Sequence, residues 1–356
     1  MPDIQVLICD DSALMRRSLT KMIESVRGMK VIGAARDGED AVIKARELMP
    51  DVVTMDINMP KLDGITALQI IVDEGIAPVL MVSSLTQEGA EASFQAMALG
   101  AFDYVAKPGG TVSINIAEVR NELTAKIKAA HRGRRGLVKR LSRKTPERKN
   151  KPSLLTRVKS RRTGNQFGFK AVAMGVSTGG PKTLFDVLPH LPKNLNAAVF
   201  LVQHMPPKFI TSFAERVNNA CEMTCVESSP SMTVEPGHIY MGAGGRHLTL
   251  WEKSKKSIIL RAPSRPEHSF MPSVDVMMAS VVKIFGKDTV GVLLTGMGDD
   301  GADGMVQIRA AGGTTIAESE ETAIVFGMPQ EAIKRGGADI VKPCYEIAEE
   351  IIKAVG

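Results

Sequence analysis

The chain has 356 residues, of which 44% are hydrophobic, and a formal net charge of +6; that is too long for one ordinary core and apolar enough for two, since domains most often run to about 100–150 residues. No run of about 18 uninterrupted apolar residues is present, and the opening "MPDIQVLICDD" sets an acidic pair where a secretory signal would carry its cleavage region, so a cytoplasmic protein without membrane insertion is expected. The four cysteines, Cys9, Cys221, Cys225 and Cys344, are scattered, and the CxxxC spacing of the middle pair fits neither a redox CxxC nor a paired zinc framework, which predicts reduced thiols.

Over residues 1–128, short apolar runs alternate with amphipathic stretches. In chain order they are "IQVLIC", "ALMRRSLTKMIES", "KVIGAA", "GEDAVIKAREL", "DVVTMD", "ITALQIIVDE", "APVLMVSS", "EASFQAMALG", "FDYVAKP" and "VRNELTAKIKAA". Strands each followed by a helix predict an α/β domain with a doubly wound, five-stranded parallel sheet of the flavodoxin-like kind. In such a sheet the site lies beyond the carboxyl ends of the strands. The residues there are Asp10 and Asp11 after the first run, Asp56 after the third, Ser83 after the fourth and Lys107 after the fifth.

Singly, each of these is an ordinary cap or turn residue; their joint placement is what carries chemistry. Three carboxylates at one mouth repel one another unless a hard cation sits among them, and Mg²⁺ takes oxygen ligands, which makes Asp10, Asp11 and Asp56 candidate metal ligands. Lys107 is then a fixed positive charge for an incoming phosphoryl group and Ser83 a hydroxyl donor to it. Asp56 is the natural acceptor, because aspartyl phosphate is an established form of covalent carboxylate chemistry. The segment strongly resembles a two-component receiver domain, through "DDS" at 10–12, "MDINMPKLDG" at 55–64, "SS" at 83–84 and "KP" at 107–108. By that resemblance Tyr104 is the aromatic that changes rotamer on activation.

Residues 126–170 hold 17 Lys/Arg against one acid, Glu147, so the basic character of the protein belongs to one segment. That segment lacks sustained apolar periodicity and mixes Pro and Gly with charge, which predicts a self-repelling extended linker over 129–168 between two domains. A solvated connector needs no nucleic-acid partner, and none is expected.

From 169 to 356 the alternation resumes with "KAVAMGVS", "AAVFLVQH", a turn-rich middle containing "GHIYM" and "HLTLW", then "TVGVLLTGMGDDG", "GTTIAES" and "ADIVKP". This predicts a second α/β domain with a largely parallel sheet and an antiparallel hairpin near 238–262. Ser177, His204 and an acid of "TGMGDDG", Asp299 or Asp300, fall just after strands. A serine hydroxyl needs a base within hydrogen-bond reach and a third group to orient that base, and these three types supply the set.

Residues 175–179 satisfy G-x-S-x-G, but the order Ser, His, Asp differs from the Ser, Asp/Glu, His order of α/β-hydrolases, which disfavours that fold. "GMGDDG" at 296–301 matches GxGxxG and Glu318 follows at dinucleotide spacing, yet Asp299 and Asp300 would aim two carboxylates at the pyrophosphate. "GVSTGGPK" lacks the spacing of a phosphate-binding P-loop.

"GVSTGG", "QHMPPKFITSFAERVN", "PGHIYMGAGGRHL", "PSVDVMM", "LLTGMGDDGADGM" and "ESEETAIVFGMPQEAI" together resemble the catalytic domain of the chemotaxis protein-glutamate methylesterases, the CheB family. Receiver, linker and this domain in this order cover nearly the whole chain. The resemblance implies Ser177 as nucleophile, His204 as base and Asp300 as orienting carboxylate. It further implies the Thr178 and Met297 backbone N–H groups as oxyanion donors. Methyl-accepting chemoreceptors would be the substrate, a histidine kinase the phosphoryl donor and Mg²⁺ the receiver's cofactor, with none needed for ester hydrolysis; some relatives also deamidate receptor glutamines. Met271 departs from the family pattern, standing where many members have Arg, as does "GAGGRH" at 242–247, where "APGDKH" is commoner. The competing readings are a receiver joined to a DNA-binding output or to a non-catalytic scaffold.

Overall fold

The computed structural model describes residues 3–84, 86–107, 116–141, 167–254 and 257–356, which fall into two compact units, one before residue 150 and one after it. In the first unit the elements run β1 (Ile4–Cys9), α1 (Ala13–Glu24), β2 (Met29–Ala35), α2 (Gly38–Leu48), β3 (Val52–Asp56), α3 (Gly64–Asp73), β4 (Val79–Ser83), α4 (Gln87–Ala98), β5 (Asp103–Ala106) and α5 (Ile116–Leu141). The sheet order is β2-β1-β3-β4-β5 and every pairing is parallel. Every residue of β3, β4 and β5 is buried, as strands covered on both faces by helices must be. From β1 the sheet grows one way to β2 and the other way through β3, β4 and β5. The connections diverge there and leave a crevice past the carboxyl ends of β1 and β3.

α5 buries Val119, Leu123, Ile127 and Ala130 against this sheet, a stripe at helical spacing. Each of the three larger side chains contributes about 1.5–3 kcal/mol by leaving water, and the Ala130 methyl less. Ala129 is buried too, and α5 runs on to Leu141. The rest of the expected linker, 142–166, lies outside the described residues.

The second unit comprises β6 (Lys170–Val176), α6 (Gly180–Val187), β7 (Ala197–Gln203), α7 (Pro207–Ala220), β8 (Thr224–Glu227), β9 (His238–Met241), β10 (Thr249–Ser254), β11 (Ser257–Arg261), α8 (Val274–Phe285), β12 (Thr289–Leu293), α9 (Ala302–Ala310), β13 (Thr314–Glu318), α10 (Met328–Lys334), β14 (Ile340–Lys342) and α11 (Cys344–Val355). Seven strands in the order β14-β13-β12-β6-β7-β9-β8 form a parallel sheet. The expected antiparallel hairpin is narrower than 238–262. Only β10 and β11 pair that way, while His238–Met241 joins the main sheet parallel to β7 and β8, because its buried Ile239, Tyr240 and Met241 continue the core. Phe167, Phe169, Phe200, Tyr240 and Phe285 form one aromatic cluster under the sheet, with ring centroids 5.4 to 6.5 Å apart. The first strand in sequence, β6, lies between β12 and β7, so here too the crevice opens at the carboxyl end of the founding strand.

Candidate functional site

β6 and β7 pair in register as far as Val176 and Gln203, so the next residues, Ser177 and His204, emerge side by side. The chain then turns sharply. Gly179 takes a φ of 79°, open to glycine at no steric cost, and Gly180 opens α6. Gln203, almost wholly buried, donates from Nε2 to the carbonyls of both Ser177 and His204 at 3.0 Å, tying the two turns together. A Cβ on Gly180 would lie 2.1 Å from Gln203 Oε1. Gly180→Ala is therefore expected to cost about 1–3 kcal/mol, since neither the buried amide nor the helix start has room to yield. Thermal melts of the variant check this, and an unchanged midpoint would contradict it.

The acidic doublet divides. Gly298 and Gly301 flank it at φ 88° and 95°, and the loop between them turns Asp299 outward and Asp300 inward. Asp299 pairs on the surface with Arg335, which also holds Asp303 at 2.7 Å. Asp300 is 4% exposed and sits at the start of α8. Its Oδ2 accepts from His204 Nε2 and from the Val274 N–H, both at 2.8 Å, and its Oδ1 accepts from Ser273 Oγ at 2.8 Å and the Asp275 N–H at 3.0 Å. Four donors at a helix N-terminus make this a strong carboxylate site.

Burial by itself would push the Asp300 carboxyl up; the hydrogen bond and charge of His204 and the Asp275 and Val274 N–H groups outweigh it and hold the group at about 2. A carboxyl lowered on folding contributes stability that is fully present above its unfolded value near 4 and lost as pH falls through the folded value. That contribution is about 2 kcal/mol. The stability gap between wild type and Asp300→Asn should thus be full at about pH 6 and narrow below about pH 4. Melts over that range test it; a gap independent of pH would refute it.

With Nε2 committed to Asp300, the neutral His204 ring has its lone pair on Nδ1, which is buried and carries no hydrogen bond. In serine proteases the two ring nitrogens take the opposite partners. Among the described residues neither the Thr178 nor the Met297 N–H donates a hydrogen bond. Met297 is brought to the serine by its neighbour: a Cβ on Gly296 would lie 2.9 Å from Ser177 Cβ.

Several residues outside the triad support it. Glu318, fully buried, accepts from the Thr295 N–H and Thr322 Oγ1 at 2.8 Å; Thr295 in turn accepts the Ser177 N–H on its carbonyl and donates Oγ1 to the Thr178 carbonyl. Glu318 therefore braces the serine turn and does not face a ribose. Phe270 lies flat on His204, ring centroids 4.1 Å apart and planes 7° from parallel. The two departures from the family pattern touch each other, for the Gly245 N–H donates to the Met271 carbonyl at 3.0 Å. An N-cap serine at 273 is visible in the sequence. Which carboxylate it would meet is not.

The first unit assembles a second set. Ligand oxygens of Asp10, Asp11 and Asp56 lie within 4.8 Å of one another, and Lys107 Nζ stands 3.0 Å from Asp10 Oδ2 and 2.7 Å from Asp56 Oδ2. Burial pushes the Asp56 carboxyl up, Lys107 pulls it down, Asp10 adds repulsion, and it stays above its ordinary value. Burial lowers the Lys107 pKa, but Asp56 and Asp10 more than offset this and raise it. Such a donor set, with excess negative charge, fits a hard divalent cation. Asp11, Asp56, Ser83 and Lys107 line a cavity of about 540 Å³. Ser83 Oγ donates to the Gly89 carbonyl at 3.1 Å, so it is placed at the cavity but turned to α4. Tyr104 is buried, with Lys126 Nζ 5.1 Å from its ring centroid. The four cysteines are free thiols, and burial pushes Cys221 to about 11 and Cys225 to about 12. No helix of the described residues is long and apolar enough to cross a membrane.

A family model described as CheB methylesterase matches residues 172–351, and one described as response regulator receiver domain matches 6–117. A Syntrophomonas wolfei relative named protein-glutamate methylesterase/protein-glutamine glutaminase 3 is 57% identical over 354 residues, 99% of this chain and 99% of its own. A Caldanaerobacter subterraneus relative named protein-glutamate methylesterase/protein-glutamine glutaminase is 47% identical over 357 residues, 99% and 96% of the two chains. The crystal structure of the Thermotoga maritima CheB methylesterase catalytic domain is similar with a TM-score of 0.51 and 39% identity, over 52% of this chain and 98% of that one.

Proposed function

The chain belongs to the CheB methylesterase family, with a receiver domain ahead of the esterase domain, and on that premise we propose that it hydrolyses glutamate methyl esters on the cytoplasmic helices of chemoreceptors through Ser177, His204 and Asp300. The observation that carries the assignment is the 2.8 Å bond from His204 Nε2 to an Asp300 whose oxygens each accept two hydrogen bonds, which leaves Nδ1 buried and unbonded on the residue that follows β7 as Ser177 follows the adjacent β6.

Ser177 Oγ attacks the ester carbonyl as Nδ1 takes the hydroxyl proton, and Asp300 stabilises the imidazolium that forms. The Thr178 and Met297 N–H groups receive the oxyanion; losing one such donor typically costs about 3 kcal/mol of transition-state stabilisation. Collapse breaks the bond to methoxide, which takes the proton from His204 and leaves as methanol. A water, deprotonated by His204, then attacks the glutamyl-serine ester; His204 returns that proton to Ser177, and the glutamic acid released loses its remaining proton to solvent. An amide in place of the ester would release ammonia by the same steps, which is receptor glutamine deamidation. No step as drawn uses a cofactor.

The receiver regulates this activity. Asp56 accepts a phosphoryl group from a histidine kinase, and Lys107 pairs with the transferred oxygens. Asp10, Asp11 and Asp56 would hold Mg²⁺, which would supply neutralisation of the carboxylates and polarisation of the phosphoryl group. Methanol release from methylated receptor membranes tests the whole reading: its absence with the phosphorylated full chain would favour a non-catalytic scaffold. A salt-dependent shift of duplex DNA with no methanol release would favour a DNA-binding output.

A further inference from the structure

His247 has no part in the steps above, yet it is 1% exposed and bonded through both ring nitrogens to groups of fixed polarity. The Ser273 N–H can only donate, so Nδ1 accepts it, at 3.2 Å; the Pro266 carbonyl can only accept, so Nε2 carries the proton that binds it, at 2.8 Å. Its ring is therefore the neutral Nε2–H tautomer. Its own N–H is anchored to the Pro263 carbonyl at 2.9 Å, so the ring is held at both ends.

The two residues it joins are the ends of the segment 266–273. At one end of that segment Ser273 donates Oγ to Asp300 Oδ1 and caps α8, whose Val274 and Asp275 N–H groups complete the Asp300 site. In its middle Phe270 lies on the face of His204. One imidazole thus ties down the strap that touches both the base and the acid. We propose that His247 is a positioning residue for the His204–Asp300 pair, holding Ser273 under the carboxylate and Phe270 over the imidazole. The inference rests on His204 and Asp300 being base and acid. Misplacing catalytic groups by an ångström from a distance costs up to about a hundredfold in rate.

The test uses the full-length chain. His247→Ala is expected to lower kcat for methanol release about tenfold to a hundredfold, with KM for methylated receptor changed less than about threefold. Asn places an amide oxygen where Nδ1 accepts from Ser273, so His247→Asn should recover most of kcat. Ring-current displacement of the His204 ring protons by Phe270, read by NMR with labelled histidine, should shrink in His247→Ala and return in His247→Asn. That readout does not depend on turnover, whereas the activity of Ser177→Ala tests the triad reading separately. A kcat within about twofold of wild type in His247→Ala, or equal losses in both variants with unmoved His204 signals, would overturn the proposal.

Discussion

Ser177→Ala and His204→Ala are expected to leave folded proteins whose methylesterase rate falls about a thousandfold or more, and the double variant should be no worse than either alone, because nucleophile and base act as one unit. Asp300→Asn should fall in the same range for a reason the hydrogen bonds supply. Both carboxylate oxygens accept from backbone N–H groups, Val274 on one and Asp275 on the other, so an amide NH₂ meets a donor whichever way it turns. If it turns toward His204, the ring must accept at Nε2 and move its proton to Nδ1, which removes the base from the serine. Asp299→Asn, in contrast, loses only an exposed ion pair to Arg335, which keeps Asp303, and exposed pairs contribute about 0–1 kcal/mol. Methanol release under saturating substrate separates the two positions. Comparable losses at 299 and 300 would mean that the orienting acid is misassigned.

The second large effect is expected at Asp56. Asp56→Asn should abolish Mg²⁺-dependent labelling by a phosphoryl donor, since an amide has no nucleophilic oxygen anion, and with it the donor's stimulation of the esterase. Asp10→Asn and Asp11→Asn should each raise the Mg²⁺ concentration needed for labelling, because each removes one of three carboxylates whose oxygens lie within 4.8 Å. Undiminished label on Asp56→Asn would assign the phosphoryl group to another residue.

Apolar runs of strand length separated by amphipathic stretches determined by themselves that this chain makes two sheets of parallel strands, because burial on both faces needs a continuous apolar run and that pattern is local. The same pattern placed Ser177, His204, Asp10, Asp56 and Lys107 at strand ends. The family motifs singled out Asp300, where the residues alone left 299 and 300 open. The tertiary structure decided which groups touch. Asp300 meets Ser273 and Val274 from 27 and 26 positions away, Thr295 reaches the Thr178 carbonyl across 117, and Phe270 covers His204 from another loop. It also narrowed the hairpin to β10 and β11, and turned Ser83 to Gly89. Periodicity reports which face of an element is buried. A hydrogen bond requires two particular atoms about 3 Å apart and aligned, and for elements far apart in sequence that condition is met only once the sheet order and the glycine-bearing turns have put them there.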